Sequence, residues 1–193
     1  MKNTLKNLTA VALVALVTVS FTSILEGKQK IKTEKSTVIW KGYKVTGSHQ
    51  GTIKIKEGSL TFKNNKLVDG AFIINMASLT NTDLNDANYR GKLEGHLKSD
   101  DFFGVLKYPT ATLAFTKVKS TGKNAYKIKG DLTIKGRTHA INFALSVYGN
   151  KANASLKIDR TKYNVRYGST SFFDGLKDKA IYDEFDLVID LEF

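Results

Sequence analysis

Phe185-Asp186-Leu187-Val188-Ile189-Asp190-Leu191-Glu192-Phe193 places Phe185, Leu187, Ile189, Leu191 and Phe193 on alternate positions, with Asp186, Asp190 and Glu192 between them. Successive side chains of a strand point to opposite faces, so this run reads as a strand with one apolar face and one wet face. Upstream, Ile141, Phe143, Leu145 and Val147 alternate strictly, as do Ala152, Ala154, Leu156 and Ile158. Tyr126, Ile128, Leu132 and Ile134 keep the same period around Gly130, and Ala111, Leu113 and Phe115 share a face, as do Phe72, Ile74 and Met76. Short turns separate these runs: Lys63-Asn64-Asn65-Lys66, Ser120-Thr121-Gly122-Lys123-Asn124 and Gly149-Asn150-Lys151. Their residues tolerate left-handed backbone, and their brevity makes neighbouring strands antiparallel hairpins. The chain holds about eight such strands, the number that closes a small barrel around one ligand. A two-sheet sandwich would give much the same pattern.

The 193 residues fit one domain with a sizeable core. Residues 1–25 read as a secretory leader: Lys2 and Lys6 form a basic start, and Leu8 to Phe21 is an uncharged, mostly apolar run. That run is too short to span a bilayer, so export without stable membrane insertion is expected, to the periplasm or beyond. Residues 26–35 are polar and without a period, and are expected to form a flexible lead-in to a barrel domain over 36–193. There is no cysteine, which excludes disulfides, thiolate metal sites and a cysteine nucleophile. The formal charge of +12 falls to +10 once Lys2 and Lys6 are set aside. Many lysines alternate with apolar residues, as in Ile53-Lys54-Ile55-Lys56 and Tyr126-Lys127-Ile128-Lys129. They read as a solvated outer face that protects strand edges rather than a nucleic-acid footprint, and no nucleic-acid partner is expected.

Ser78 to Lys107 departs from period two and reads as the one long insertion between strands. Tyr89, Leu93 and Leu97 recur every fourth position, one stripe of a helix that Gly91 and Gly95 weaken. Ser99-Asp100-Asp101 has the form of a second helix start, and Pro109 would end it before the next strand. Long insertions in compact domains are usually functional loops or lids.

Little here points to catalysis or metal. His49, His96 and His139 lie in separate segments without ligand spacing. A would-be calcium loop from Asp83 to Glu94 fails, because Ala87 and Asn88 stand where a ligand and the turn glycine belong. No nucleophile elbow, phosphate loop or dinucleotide fingerprint appears. Asp100 with Asp101, and Asp183 with Glu184, are sequence neighbours rather than opposed acid and base. The apolar faces remain as the seat of function, although alternation alone cannot tell a filled barrel from a hollow one.

Four motifs sharpen this. Gly47-Ser48-His49-Gln50-Gly51, then Gly95-His96-Leu97-Lys98-Ser99-Asp100-Asp101-Phe102-Phe103, then Tyr108-Pro109 leading into Thr110-Ala111-Thr112-Leu113-Ala114-Phe115, then Gly130-Asp131-Leu132-Thr133-Ile134-Lys135-Gly136 closing on Phe143, follow in order. Together, over Ser36 to Phe193, they resemble the YceI-like family of bacterial proteins. The resemblance implies an eight-stranded antiparallel lipocalin-like β-barrel with a short helical insertion, holding a long isoprenoid lipid in an apolar interior. Phe72, Ile74, Phe115, Leu132, Phe143, Leu145, Leu156, Ile158, Phe185, Leu187 and Ile189 are then expected to line the cavity. Tyr89, Leu93, Leu97, Phe102 and Phe103 would form a lid or a plug at one mouth. The expected ligand is an isoprenoid quinone, a polyprenyl lipid or another long apolar chain, with no other cofactor, no metal and no catalytic residue. An enzyme acting on such a lipid and a filled-core stress or structural protein stand as alternatives, and a homodimer is left open. The leader yields a prediction: cleavage falls between Thr18 and Glu26, and N-terminal sequencing of exported material that starts at Met1 would overturn it.

Overall fold

The computed structural model describes residues 24–193, so the expected leader lies almost wholly outside it. Nine strands and one helix follow one another: β1 (Gly27–Lys30), β2 (Thr37–Lys44), β3 (Gly47–Lys63), β4 (Lys66–Asn81), α1 (Ala87–Lys98), β5 (Thr110–Ser120), β6 (Ala125–Ile134), β7 (Arg137–Tyr148), β8 (Lys151–Asp159) and β9 (Glu184–Glu192). Each of β2 to β9 pairs antiparallel with the next, and β9 returns to β2. The ring is therefore closed by eight strands, which excludes a two-sheet sandwich. As read from the turn chemistry, β3 and β4 meet through Asn64 and Asn65, both left-handed, and Gly149 with φ 58° begins the turn from β7 to β8. The lysines at 54, 56, 127 and 129 all face outward.

Residues 26–35 are not a flexible lead-in. β1 pairs with Ser59–Phe62 of β3, beyond the part of β3 that β2 covers. β1 and β2 thus act as two pieces of one edge, joined by a short 3-10 turn at Thr33–Lys35. Ile31 is buried, its amide donates to the Gly58 carbonyl, and the Lys32 amide donates to the Glu192 carbonyl. Lys32 and Lys35 both pair with the Glu192 carboxylate, at 3.2 and 3.5 Å. The lack of a hydrophobic period hid this strand, because it is held by backbone pairing and one anchoring isoleucine.

The two ends of the barrel differ. At the end carrying the 63–66, 120–124 and 149–151 turns, Leu60, Phe62, Tyr126 and Ile128 are almost completely buried, and the Phe62 and Phe193 rings lie 5.4 Å apart. The Tyr126 hydroxyl reaches into this floor to accept from the Leu67 amide at 3.3 Å. At the other end the wall is less complete: β7 and β8 are paired only from Leu145–Tyr148 to Lys151–Ala154, although both strands run further. Beyond that point Tyr163 covers the seam, its ring edge-on to His139 at 5.3 Å.

A filled floor and a hollow upper half respond differently to truncation. Phe62→Ala is expected to cost about 3–5 kcal/mol, as for a close-packed core phenylalanine. Phe143→Ala, on the wall of the upper half, should cost less than about 2 kcal/mol, because part of its ring already lacks partner atoms. Denaturant unfolding of the two variants measures the difference.

Candidate functional site

Above the packed floor the barrel encloses a cavity of about 180 Å³ that draws lining residues from all eight barrel strands. Along β9 the lining runs from Glu184 to Leu191, roughly 23 Å of strand at 3.3 Å per residue. It is long, narrow and almost entirely hydrocarbon. Of the residues expected to line it, Phe72, Ile74, Phe115, Leu132, Phe143, Leu145, Leu156, Phe185, Leu187 and Ile189 do so. Ile158 does not: it is buried in the core beside the cavity rather than on its wall. Aromatic rings meet along the wall, Phe72 tilted against Phe115 of the next strand at 5.9 Å and Phe115 edge-on to Phe143, two strands on, at 5.8 Å. Gly70 makes room for them, since a Cβ there would come within 2.5 Å of the Phe115 ring.

The expected lid divides. Leu97, Phe102 and Phe103 line the cavity, and both phenylalanines are buried. Tyr89 is 65 % exposed and Leu93 is half-buried off the cavity wall, so α1 does not lie over the mouth as a lid. The helix is instead fastened beside β4. The Asp86 side chain caps it by accepting from the Asn88 and Tyr89 amides, and Glu94 accepts from the Asn81 amide at 2.8 Å. Ser99 closes this helix as its C-cap rather than opening a second one, with its amide donating to the His96 carbonyl. Successive turns over 99–107 then deliver Phe102 and Phe103 inward as a plug, with the two rings 5.0 Å apart and Phe103 6.4 Å from Phe185.

The motifs meet around this plug. Lys135, left-handed in the two-residue turn from β6 to β7, donates to the carbonyls of Asp100 at 2.7 Å and Phe102 at 2.6 Å. Burial pulls its ammonium pKa down, against the opposing pull of Asp100 and Asp101. Gly51 needs its missing side chain, because a Cβ would fall 1.8 Å from the Thr80 carbonyl oxygen. His49 lies 3.3 Å from the Asp83 carboxylate, which also accepts from the Gln50 amide. Burial alone would raise the Asp83 pKa, but hydrogen bonds from Asn81 and Gln50 and the neighbouring His49 hold it low.

Period-two reading missed the second long connection, residues 160–183 between β8 and β9, so Ser78–Lys107 is not the only insertion. Its anchor is Arg160, 2 % exposed and on the cavity wall. The guanidinium donates to the carbonyls of Tyr182 at 3.0 Å, Val165 at 2.8 Å and Ile181 at 2.9 Å, and lies 5.5 Å from the Phe102 ring centroid. Burial lowers its pKa, with Asp183 at 3.7 Å opposing the shift. Trp40, Met76 and Leu79 also line the cavity. Only Met76 belonged to an alternating run in the sequence; a lone tryptophan two residues before Gly42 carried no run long enough to mark it.

Chemically, this arrangement offers an apolar interior that can accommodate apolar groups. Arg160 is spent on carbonyls, and burial first and Asp159 second push the Tyr163 phenol up to about 12, so it stays neutral. His96 lies edge-on to Tyr167 at 4.4 Å, and among the described residues no three His, Cys, Asp or Glu gather to hold a metal.

The model of the YceI-like domain matches residues 29–193. The chain belongs to the YceI-like family. A UPF0312 protein of Vibrio cholerae is 30 % identical over 138 residues, covering 70 % of each chain. One from Azotobacter vinelandii is 33 % identical over 99 residues, 51 % of this chain and 49 % of its own. The chain thus spans about half the length of the first relatives it matches. Among solved structures, Burkholderia cenocepacia BcnA superposes with a TM-score of 0.68 at 24 % identity, over 83 % of this chain and 98 % of its own. A polyisoprenoid binding domain from Saccharophagus degradans gives 0.57 at 15 % identity, over 88 % of this chain and 99 % of its own. At such identities the two structures speak for the fold, the same closed barrel with one helix.

Arg160 gives the next prediction. Arg160→Met should cost about 3–5 kcal/mol, because it frees three carbonyls and strands Asp183. Arg160→Lys should not restore the loss, since one ammonium cannot reproduce the planar fork. Thermal and denaturant unfolding of both variants check this.

Proposed function

We propose that the protein binds, and carries or stores, an isoprenoid or similar long apolar lipid in its barrel, in the periplasm after removal of the leader. The observation that carries this reading is the long, narrow hydrocarbon channel on all eight strands. Such a shape suits a linear or methyl-branched chain better than a fused ring system. Membership of the YceI-like family supports the reading, as does the fold shared with a domain described as polyisoprenoid binding. An isoprenoid quinone or a polyprenyl lipid would fit, its chain inward and its polar head at the rim near Tyr43, Tyr182 and Glu184.

Energetics permit this without specific polar contacts. Burying an isoprene unit of five carbons is worth ~4 kcal/mol gross, and ~1.5 kcal/mol net at the efficiency of drug-sized ligands. Size sets a condition. The cavity of about 180 Å³ only slightly exceeds the roughly 150 Å³ that accommodates one benzene ring. A long chain therefore has to displace wall side chains, with the Phe102–Phe103 plug and the loosely paired β7–β8 seam the parts best placed to yield.

Native mass spectrometry after gentle purification from exported material tests the reading. A mass excess matching an apolar lipid, recovered chemically unchanged, is expected. Protein that carries no lipid and takes up none from a total lipid extract would overturn it, and turnover of the bound lipid would make it an enzyme. Leu156→Trp, which fills the channel, should cut lipid recovery severalfold while costing about 1–3 kcal/mol of stability.

A further inference from the structure

The mouth of the barrel is ringed by apolar side chains that none of the described residues covers. Val45 at the tip of the β2–β3 hairpin, Leu106 after the plug, and Tyr167, Phe172, Phe173 and Tyr182 in the 160–183 connection are all exposed, Leu106 completely so. These segments are contiguous. The Val45 amide donates to the Ala180 carbonyl, the Tyr182 amide to the Tyr43 carbonyl, and Lys44 bridges to Ile181. The 160–183 connection joins the plug side of the mouth where Tyr167 meets His96 edge-on, and His96 in turn lies 5.7 Å from Phe102. At the floor the large exposed apolar residues, among those described, are fewer and scattered: Ile24, Val68 and Tyr148.

Basic residues interleave with the apolar ones: Lys44 beside Val45, Arg166 with its guanidinium 4.5 Å from the Phe172 ring centroid, and the exposed Lys177 and Lys179. Arg166 and Phe172 thus form one amphipathic unit. The body of the protein carries +10 once Lys2 and Lys6 are set aside, and lysines stand at both ends. Charge alone would attract the barrel to an anionic surface without orienting it. The apolar ring at one end supplies the orientation. Aromatic and aliphatic side chains alternating with Lys and Arg are the composition that settles at a bilayer interface, and each basic residue near an anionic leaflet contributes about 1 kcal/mol.

We propose that this rim docks the barrel, mouth down, on an anionic lipid bilayer, so that an apolar chain passes between membrane and channel without crossing water. The proposal rests on the lipid-binding reading for its purpose, but its test does not. Sedimentation with vesicles of phosphatidylglycerol and phosphatidylethanolamine, against vesicles of phosphatidylcholine alone, measures docking of the mature protein. Binding to the anionic vesicles is expected, weakened by added salt, and reduced on the order of tenfold in the Phe172→Ser/Phe173→Ser double variant, a loss of apolar area inserted at the interface. Leu106→Ser should weaken it in the same direction, and Tyr148→Ser at the floor should leave it unchanged. All three sites are exposed, and unaltered thermal unfolding shows that folding is not the cause. Absence of vesicle binding overturns the proposal, as does equal loss from Tyr148→Ser or indifference to the rim substitutions. A dimer that the Phe172→Ser/Phe173→Ser variant dissolves, without vesicle binding, would make the rim a self-association face and overturn it too. Lipid-loaded protein that ignores vesicles sinks docking alone; vesicle binding by protein that never holds a lipid sinks only the lipid-binding reading.

Discussion

Five residue pairs between β2 and β9, from Thr37 opposite Asp190 to Lys41 opposite Asp186, turn a sheet into a ring. Without them β2 and β9 would expose unpaired backbone, and the apolar faces of eight strands would have no common interior. The pairing joins residues about 150 positions apart in the chain. A contact of that range is formed late and at considerable entropic cost. The same closure puts Trp40 of β2 and Leu187 of β9 side by side on the cavity wall, so the pairing that completes the fold also completes the site.

Much of this was legible because alternation is a local property. Phe143, Leu145, Leu187 and Ile189 sit on strands whose period is unbroken, and the closed ring leaves an alternating apolar face nowhere to point but inward. Ile158 marks the limit of that logic: it shares the inward face of β8 with Leu156 and is buried, yet it is packed among neighbours rather than on the cavity wall. Period says which side a residue faces, not how full the space beyond it is. The helical stripe of Tyr89, Leu93 and Leu97 failed for a related reason. Spacing groups the three on one face, but polar anchors such as Asp86 and Glu94 decide how the helix sits, and only Leu97 reaches the cavity. Arg160 left no signal at all. A buried arginine is defined by the carbonyls it collects, and those come from residues 165, 181 and 182, which no local pattern connects to it.

The motifs behave as fasteners rather than as reactive groups. Lys135 ties the β6–β7 turn to the carbonyls of Asp100 and Phe102, Gly51 lets β3 pass against Thr80, and Asn81 binds the Gln50 carbonyl to the start of the insertion. Each joins two distant stretches of chain at the mouth. What they hold in place is the Phe102–Phe103 plug, whose position sets the upper boundary of the channel.

The short β7–β8 ladder has a mechanical consequence. Hydrogen bonds around a closed ring act in series against radial expansion, so the ring dilates first where they are fewest. Here that place is a seam of four residue pairs, continued toward the mouth by the Tyr163 ring instead of a backbone ladder. Aromatic contact yields by sliding, whereas a ladder must break bond by bond. The barrel is therefore stiff at its floor and compliant along one generatrix of its upper wall, and can change its bore without surrendering its topology.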